Sequence, residues 1–211
     1  MSDELPVPTG SAGLVDRAKN ILMTPKAEWS RIAAETAEPA KVFTGYALPL
    51  LLIGPIASFI GSQLFGYSAV FVTVRPSLGF SLTTAITGLV MAVIQLFVIA
   101  FVANFLSKQF GGKESFPAAF RLVAYSMTAA WLAGIFGIVP MLAILAVVGL
   151  YSFYLFYLGA TPVMGVPEDK AVADTAVTVL VVIVVYVVIA AVTTALVGSL
   201  VLATGVATPG I

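Results

Sequence analysis

The chain has 211 residues, of which 60% are hydrophobic and only 9% charged, with a mean hydropathy of +1.09 and ten basic residues balancing ten acidic ones. Soluble domains carry about a quarter of charged residues, so this composition excludes an ordinary soluble enzyme, and a zero net charge supplies no general attraction for nucleic acid. Cysteine and histidine are absent, which excludes disulfides, thiol nucleophiles, haem ligation and the usual zinc sites, and no cofactor is expected.

Residues 1–12 hold Pro6, Pro8 and Gly10 and predict a disordered tail. From Leu14 the apolar positions Leu14, Ala18, Ile21, Leu22, Trp29, Ile32 and Ala33 follow helical spacing, with Asp16, Arg17, Lys19 and Arg31 between them. Thr24 and Pro25 interrupt the pattern where an N-cap and a proline at the first helical position would restart a helix. Residues 13–41 therefore read as two short amphipathic helices, and since the first long apolar run begins only at Phe43, not as a signal peptide. Two placements stay open: at the inner headgroup layer, with Trp29 as anchor and the basic residues on anionic lipid, or packed on the ends of the spans.

Residues 42–205 carry five apolar runs, at about 43–64, 82–106, 122–139, 141–158 and 176–203, none containing Lys, Arg, Asp or Glu. Helices are the expected spanning element, because a bilayer core of about 30 Å leaves no water for unpaired backbone groups. The third and fourth runs read as one helix would reach about 55 Å, so a break is required. Gly137 and Pro140 supply it, proline lacking the amide that a continuing helix needs. The fold class is therefore all-α, a polytopic bundle of five transmembrane helices, with 206–211 as a C-terminal tail.

Five crossings place nine of the ten basic residues on one side: Arg17, Lys19, Lys26, Arg31, Lys41, Lys108, Lys113, Arg121 and Lys170, with Arg75 opposite. The positive-inside bias then predicts a cytoplasmic N-terminus and a C-terminus on the other side of a bacterial inner membrane. A re-entrant central hairpin would still leave eight against two, so charge alone does not decide whether 122–158 crosses fully.

Gly111-Gly112-Lys113-Glu114-Ser115 imitates the end of a phosphate-binding loop. It fails, because Ser107 stands where the first glycine belongs, Glu114 replaces the Ser or Thr after the lysine, and no strand precedes it; a flexible turn is expected. Small residues recur every four positions at Gly54, Ser58, Ser62 and Gly66, and again at Ala191, Ala195, Ser199 and Ala203. Such stripes predict close helix packing within the chain, or a homo-oligomer face. Gln95, Asn104, Thr193 and Thr194 are expected to hydrogen-bond between helices.

Arg17-Ala-Lys-Asn-Ile-Leu-Met-Thr-Pro-Lys-Ala-Glu-Trp29, Gly111-Gly-Lys-Glu-Ser-Phe116, Phe120-Arg121 leading to Tyr125-Ser126, and a hairpin ending at Pro140 resemble the bacterial branch of the Yip-one domain family. The resemblance runs from Val15 onward and implies five spans with a cytoplasmic N-terminus. Eukaryotic members are implicated in vesicle traffic, binding Rab-type GTPases and one another. This chain lacks their Asp-Leu-x-Gly-Pro stretch, the nearest sequence being Leu52-Ile-Gly-Pro-Ile56, so the resemblance does not extend to GTPase binding. Tyr125, Ser126, Gly137 and Pro140 carry over as structural or binding positions.

A non-enzymatic scaffold or adaptor is the leading expectation, with Arg17, Lys19, Lys26, Trp29, Arg31, Lys108, Lys113 and Arg121 as contacts to membrane lipid or to a protein partner on the cytoplasmic face. A small oligomeric transporter, channel or lipid-moving protein is the second. An enzyme ranks last, for want of an acid, base and nucleophile set.

Overall fold

A computed structural model describes residues 13–36, 38–69 and 72–204. The expected tails, 1–12 and 206–211, lie outside them. The helices are α1 (Leu14–Met23), α2 (Pro25–Ala34), α3 (Pro39–Leu64), α4 (Leu78–Gln109), α5 (Phe116–Ile138), α6 (Met141–Met164) and α7 (Glu168–Thr204). Five of these, α3 to α7, are long and apolar enough to cross a membrane. They cover the five apolar runs, save Val139 at the end of the third, and most extend past them at one or both ends, because a helix continues for a turn or more through polar residues once its middle is formed.

Each departure from a regular helix has a local cause. In α3 the turn Phe43–Ala47 widens to a π-helix just before Pro49, whose missing amide leaves a carbonyl to be satisfied by a longer-range bond. At the end of α5 the chain tightens to a 3-10 helix over Gly134–Ile138, becomes extended at Val139 (φ −114°, ψ 112°) and resumes as a 3-10 helix over Pro140–Leu150. The break expected at Gly137 and Pro140 is thus a hairpin between α5 and α6. A 3-10 helix rises about 2 Å per residue, so each arm spans roughly 35–45 Å and is long enough to cross. The segment between α3 and α4, which lies between two of the apolar runs, forms a small antiparallel hairpin of β1 (Tyr67–Ala69) and β2 (Val72–Val74), with Tyr67 opposite Val74 and Ala69 opposite Val72. The β-branched run Val72-Thr73-Val74 is the signal for it.

Helix α5 is the axis of the bundle: every residue from Ala118 to Ser126 is buried, and α3, α4 and α6 pack around it. Helix α7 lies on the outside against α4 and α6, and its second half is largely exposed. The starts of α5 and α7 and the ends of α4 and α6 meet at the end of the bundle that carries α1 and α2, here the proximal end. The β-hairpin marks the distal end.

Lipid tails are as apolar as leucine, so close backbone approach, not hydrophobic burial, must hold the spans together. Glycines provide it. A Cβ on Gly61 would lie 2.5 Å from the carbonyl oxygens of Gly137 and Ile138, and one on Gly134 would lie 2.9 Å from the Cα of Gly54. The stripe at Gly54 and Ser58 is therefore used inside the chain, against the 3-10 end of α5, while Ser62 reaches α4 through its hydroxyl, 2.9 Å from that of Ser81. Ala191, Ala195 and Ser199 of the second stripe are exposed on α7.

At the proximal end Gly159 of α6 makes room for the fully buried Trp29 of α2: a Cβ there would lie 2.8 Å from the indole and 2.5 Å from Leu122 Cδ1. Gly159→Ala should lower stability by about 1–3 kcal/mol, the usual result of overpacking. In a Trp131→Phe background it should also red-shift the Trp29 emission, and unchanged emission and unfolding would show that the indole is not seated on α6.

Candidate functional site

The charged groups gather at the proximal end, where α1 and α2 dock. Arg17 is only 5% exposed although it lies on a short N-terminal helix. Its Nη1 donates to Glu28 Oε1 at 2.7 Å and its Nη2 to Glu35 Oε1. Glu28 is itself buried, and its second oxygen accepts from Arg31 Nη1 at 3.3 Å. Arg121, from α5, donates to the backbone carbonyl of Glu35. Burial alone would lower the Arg17 pKa. The hydrogen bond to Glu35 and the negative charges of Glu35 and Glu28 outweigh burial and hold it above its ordinary value, so Arg17 stays a cation.

Beneath Arg17 lies an aromatic floor. The guanidinium carbon sits 5.4 Å from the centre of the Tyr125 ring, a cation–π geometry, and Tyr46 meets Tyr125 edge to face at 4.7 Å. The Tyr46 hydroxyl is 2.6 Å from Thr128 Oγ1, which donates to the Tyr125 carbonyl at 2.6 Å. Tyr151 of α6 donates to the Leu22 carbonyl at 3.2 Å. Helices α3, α5 and α6 thus all contribute to the seat on which α1 and α2 rest.

Of the eight expected contact residues, Arg17, Trp29 and Arg121 are buried and turned inward, so they are corrected to internal packing groups. Lys19, Lys26, Arg31, Lys108 and Lys113 are exposed at the same end. Helix α1 presents Val15, Lys19 and Met23 on one outward face, the two apolar members each 74% exposed. Lys108 pairs with Glu114. The Gly111–Ser115 segment is a turn with a packing reason for its glycines: Gly111 has φ +89°, and a Cβ on Gly112 would lie 2.9 Å from the Met164 carbonyl oxygen. Lys113 N–H donates to that same carbonyl at 2.7 Å, closing α4 onto α6.

Tyr125 and Ser126 are buried on α5, and Gly137 lies in its final 3-10 turn. Pro140 opens the following 3-10 segment. Thr193 and Thr194, expected between helices, instead donate to Ile189 and Ala190 of their own helix, at 2.7 and 2.9 Å. A threonine hydroxyl reaches the carbonyl four residues back without needing a neighbour. Interhelical bonds are made by Tyr46 with Thr128, and by Ser62 and Gln63 with Ser81; of these the sequence singled out Ser62 alone, as a small packing residue.

Asp174 was missed altogether. It follows the cluster Glu168-Asp169-Lys170 and so reads as part of a polar segment, yet it lies two turns inside α7 and is fully buried. Neither carboxylate oxygen has a hydrogen-bond partner among the described residues, and the buried hydroxyls of Ser107 and Thr178 also lack one. The five apolar runs are free of charge as read, but α7 begins eight residues before the last of them and so draws Asp174 into the bundle. Among the described residues no three Asp or Glu side chains converge as metal ligands.

Two expected outcomes follow from these contacts. Arg17→Ala leaves two carboxylates without their buried partner and should cost about 3–5 kcal/mol. Hydrogen exchange should rise across residues 13–34 while α4 and α7 keep their protection; uniform protection would place the anchor elsewhere. Asp174→Asn removes a buried charge without a partner and should stabilise the fold by about 1–3 kcal/mol in thermal unfolding. A lower melting temperature would show that the charge is compensated.

The Yip1 domain family model matches residues 19–205. No curated protein and no solved structure matches the chain. The match covers the second half of α1, all of α2 and all five long helices, so the chain belongs to the Yip1 domain family of membrane proteins.

Proposed function

We propose that this protein is a non-enzymatic scaffold of a bacterial inner membrane, with its proximal end in the cytoplasm and its exposed cations held against an anionic surface. One observation carries the reading: Arg17 fixes α1 and α2 to the bundle from within, which leaves Lys19 and Lys26 outward at the end that also carries the exposed Lys108 and Lys113. A cation held in place loses less freedom on binding than one on a loose tail. The exposed Val15 and Met23, flanking Lys19, suit the headgroup boundary, where an apolar side chain enters the acyl region and a lysine stays at the phosphates. Glu28 and Glu35 are engaged by arginine, which argues against acid/base chemistry by these two carboxylates.

A second reading, a small oligomeric transporter, channel or lipid-moving protein, is favoured by Asp174, because an enclosed ionisable residue commonly marks a transport pathway. The two readings separate on flux: protein-dependent movement of ions or lipid in vesicles that depends on Asp174 belongs to the second alone.

For the scaffold, each lysine near an anionic membrane contributes about 1 kcal/mol. Native mass spectrometry of the purified chain should show phosphatidylglycerol binding in preference to phosphatidylcholine, and the Lys19→Gln, Lys26→Gln, Lys108→Gln, Lys113→Gln variant should lose most of that preference. Equal lipid binding by variant and wild type, together with no copurifying partner in nanodiscs, would end the scaffold reading.

A further inference from the structure

Helices α4 and α7 do not close along their distal halves. Between them runs a groove of about 670 Å³, lined by Phe80, Thr84 and Gln95 of α4 and by Tyr186, Ala190 and Val197 of α7. A second cavity of about 260 Å³ continues inward towards Trp131 of α5, and Gln95 and Tyr186 line both. The volumes are those of small-molecule sites. The groove opens sideways, on the flank that faces lipid once the five helices span a bilayer.

Its polar groups are unequal. Thr84 donates to the Phe80 carbonyl at 2.9 Å and Thr194 to that of Ala190 at 2.9 Å, so both are satisfied within their own helices. The Gln95 carboxamide has no hydrogen bond among the described residues. In water this would be unremarkable, but in hydrocarbon an unpaired amide costs several kcal/mol.

Depth identifies what could pair with it. Gln95 stands 17 residues from Leu78 and 14 from Gln109, and Tyr186 is the midpoint of Glu168–Thr204. At about 1.5 Å per residue both lie close to the bilayer midplane, some 15 Å from either headgroup layer. A phospholipid keeps its charged head at the interface and would bring only methyl and methylene groups to Gln95. An occupant that satisfies the amide must be uncharged and must carry its hydrogen-bonding group at the deep end. From Gln95 to Thr84 the groove wall covers 11 residues, or about 16 Å, which keeps one extended hydrocarbon chain within the apolar half of the bilayer.

We propose that the groove between α4 and α7 binds a neutral long-chain lipid bearing a single carbonyl or hydroxyl group, which pairs with the Gln95 carboxamide at the membrane midplane while its chain runs distally as far as Thr84. Tyr186 sits at the junction of groove and inner cavity, where its ring covers the polar end of the lipid. The site depends on neither the exposed lysines nor the direction in which the chain crosses, so it stands or falls apart from the scaffold reading.

The test uses the whole chain in phosphatidylcholine nanodiscs with two photoactivatable probes, a long-chain ketone and the hydrocarbon of equal length. The ketone should label the walls around 80–95 and 186–198 saturably, excess unlabelled ketone should displace it, and excess hydrocarbon should not. Gln95→Leu should cut ketone labelling about tenfold, the loss of one hydrogen bond, and leave hydrocarbon labelling unchanged. Should that variant fail to fold, the competition between ketone and hydrocarbon in the wild type decides alone. Equal labelling by both probes would mean that bulk acyl chains fill the groove, and cross-links from one copy's groove to another copy would mean that a second chain occupies it. Either result overturns the proposal.

Discussion

The arrangement of this protein depends on one buried cation. Arg17 is drawn under two short helices because it satisfies three partners at once: the Glu28 carboxylate, the Glu35 carboxylate and the face of Tyr125. Taking a guanidinium out of water is expensive, and two carboxylates with an aromatic ring are among the few settings that offset it. Once Arg17 is placed, α1 and α2 lose their freedom to move along the membrane surface. The positions of Trp29 on Gly159, of Tyr151 against Leu22 and of the outward lysines all follow from that restraint.

The spans themselves obey a different rule. With no solvent contrast between a leucine side chain and a lipid tail, the bundle must gain from contact density, and it does so where side chains are smallest. Gly54 meets Gly134, and Gly61 meets the Gly137 and Ile138 carbonyls. That pairing gives the 3-10 ending of α5 a physical cause. Tightening the helix from 3.6 to 3.0 residues per turn narrows it, and a narrow helix can lie against a glycine stripe where a regular one would collide.

Hydropathy made the large architecture legible. Five apolar runs without a charge, and a proline and glycine in the one run too long to cross once, suffice for five helices and the hairpin. The finer features were hidden for identifiable reasons. Arg17 and Lys19 look equivalent in a helical pattern, and only the partners brought by Glu28, Glu35 and Tyr125, 11, 18 and 108 residues away, distinguish the inward cation from the outward one. Asp174 was concealed by its charged neighbours, which suggest a loop, although a helix that begins at Glu168 carries the carboxylate two turns into the bundle. The β-hairpin was overlooked because three-residue strands are too short to establish an alternating pattern.

Asp174 and Gln95 are both polar groups without hydrogen-bond partners among the described residues, and the contrast between them is informative. Asp174 is sealed by the surrounding helices near the proximal end, so whatever neutralises it must be small enough to reach a site with no exposed surface. Gln95 is open to a groove that a long molecule can enter from the side. Both residues lie at the boundary between α7 and the rest of the bundle, and α7 is the least enclosed of the five long helices. A helix held mainly by α4, with polar groups unsatisfied along its inner face, has little to lose by moving outward. The same bundle therefore combines a proximal end fixed by Arg17 with a flank where α7 is largely uncovered, and the contacts that seat α1 and α2 come from α3, α5 and α6.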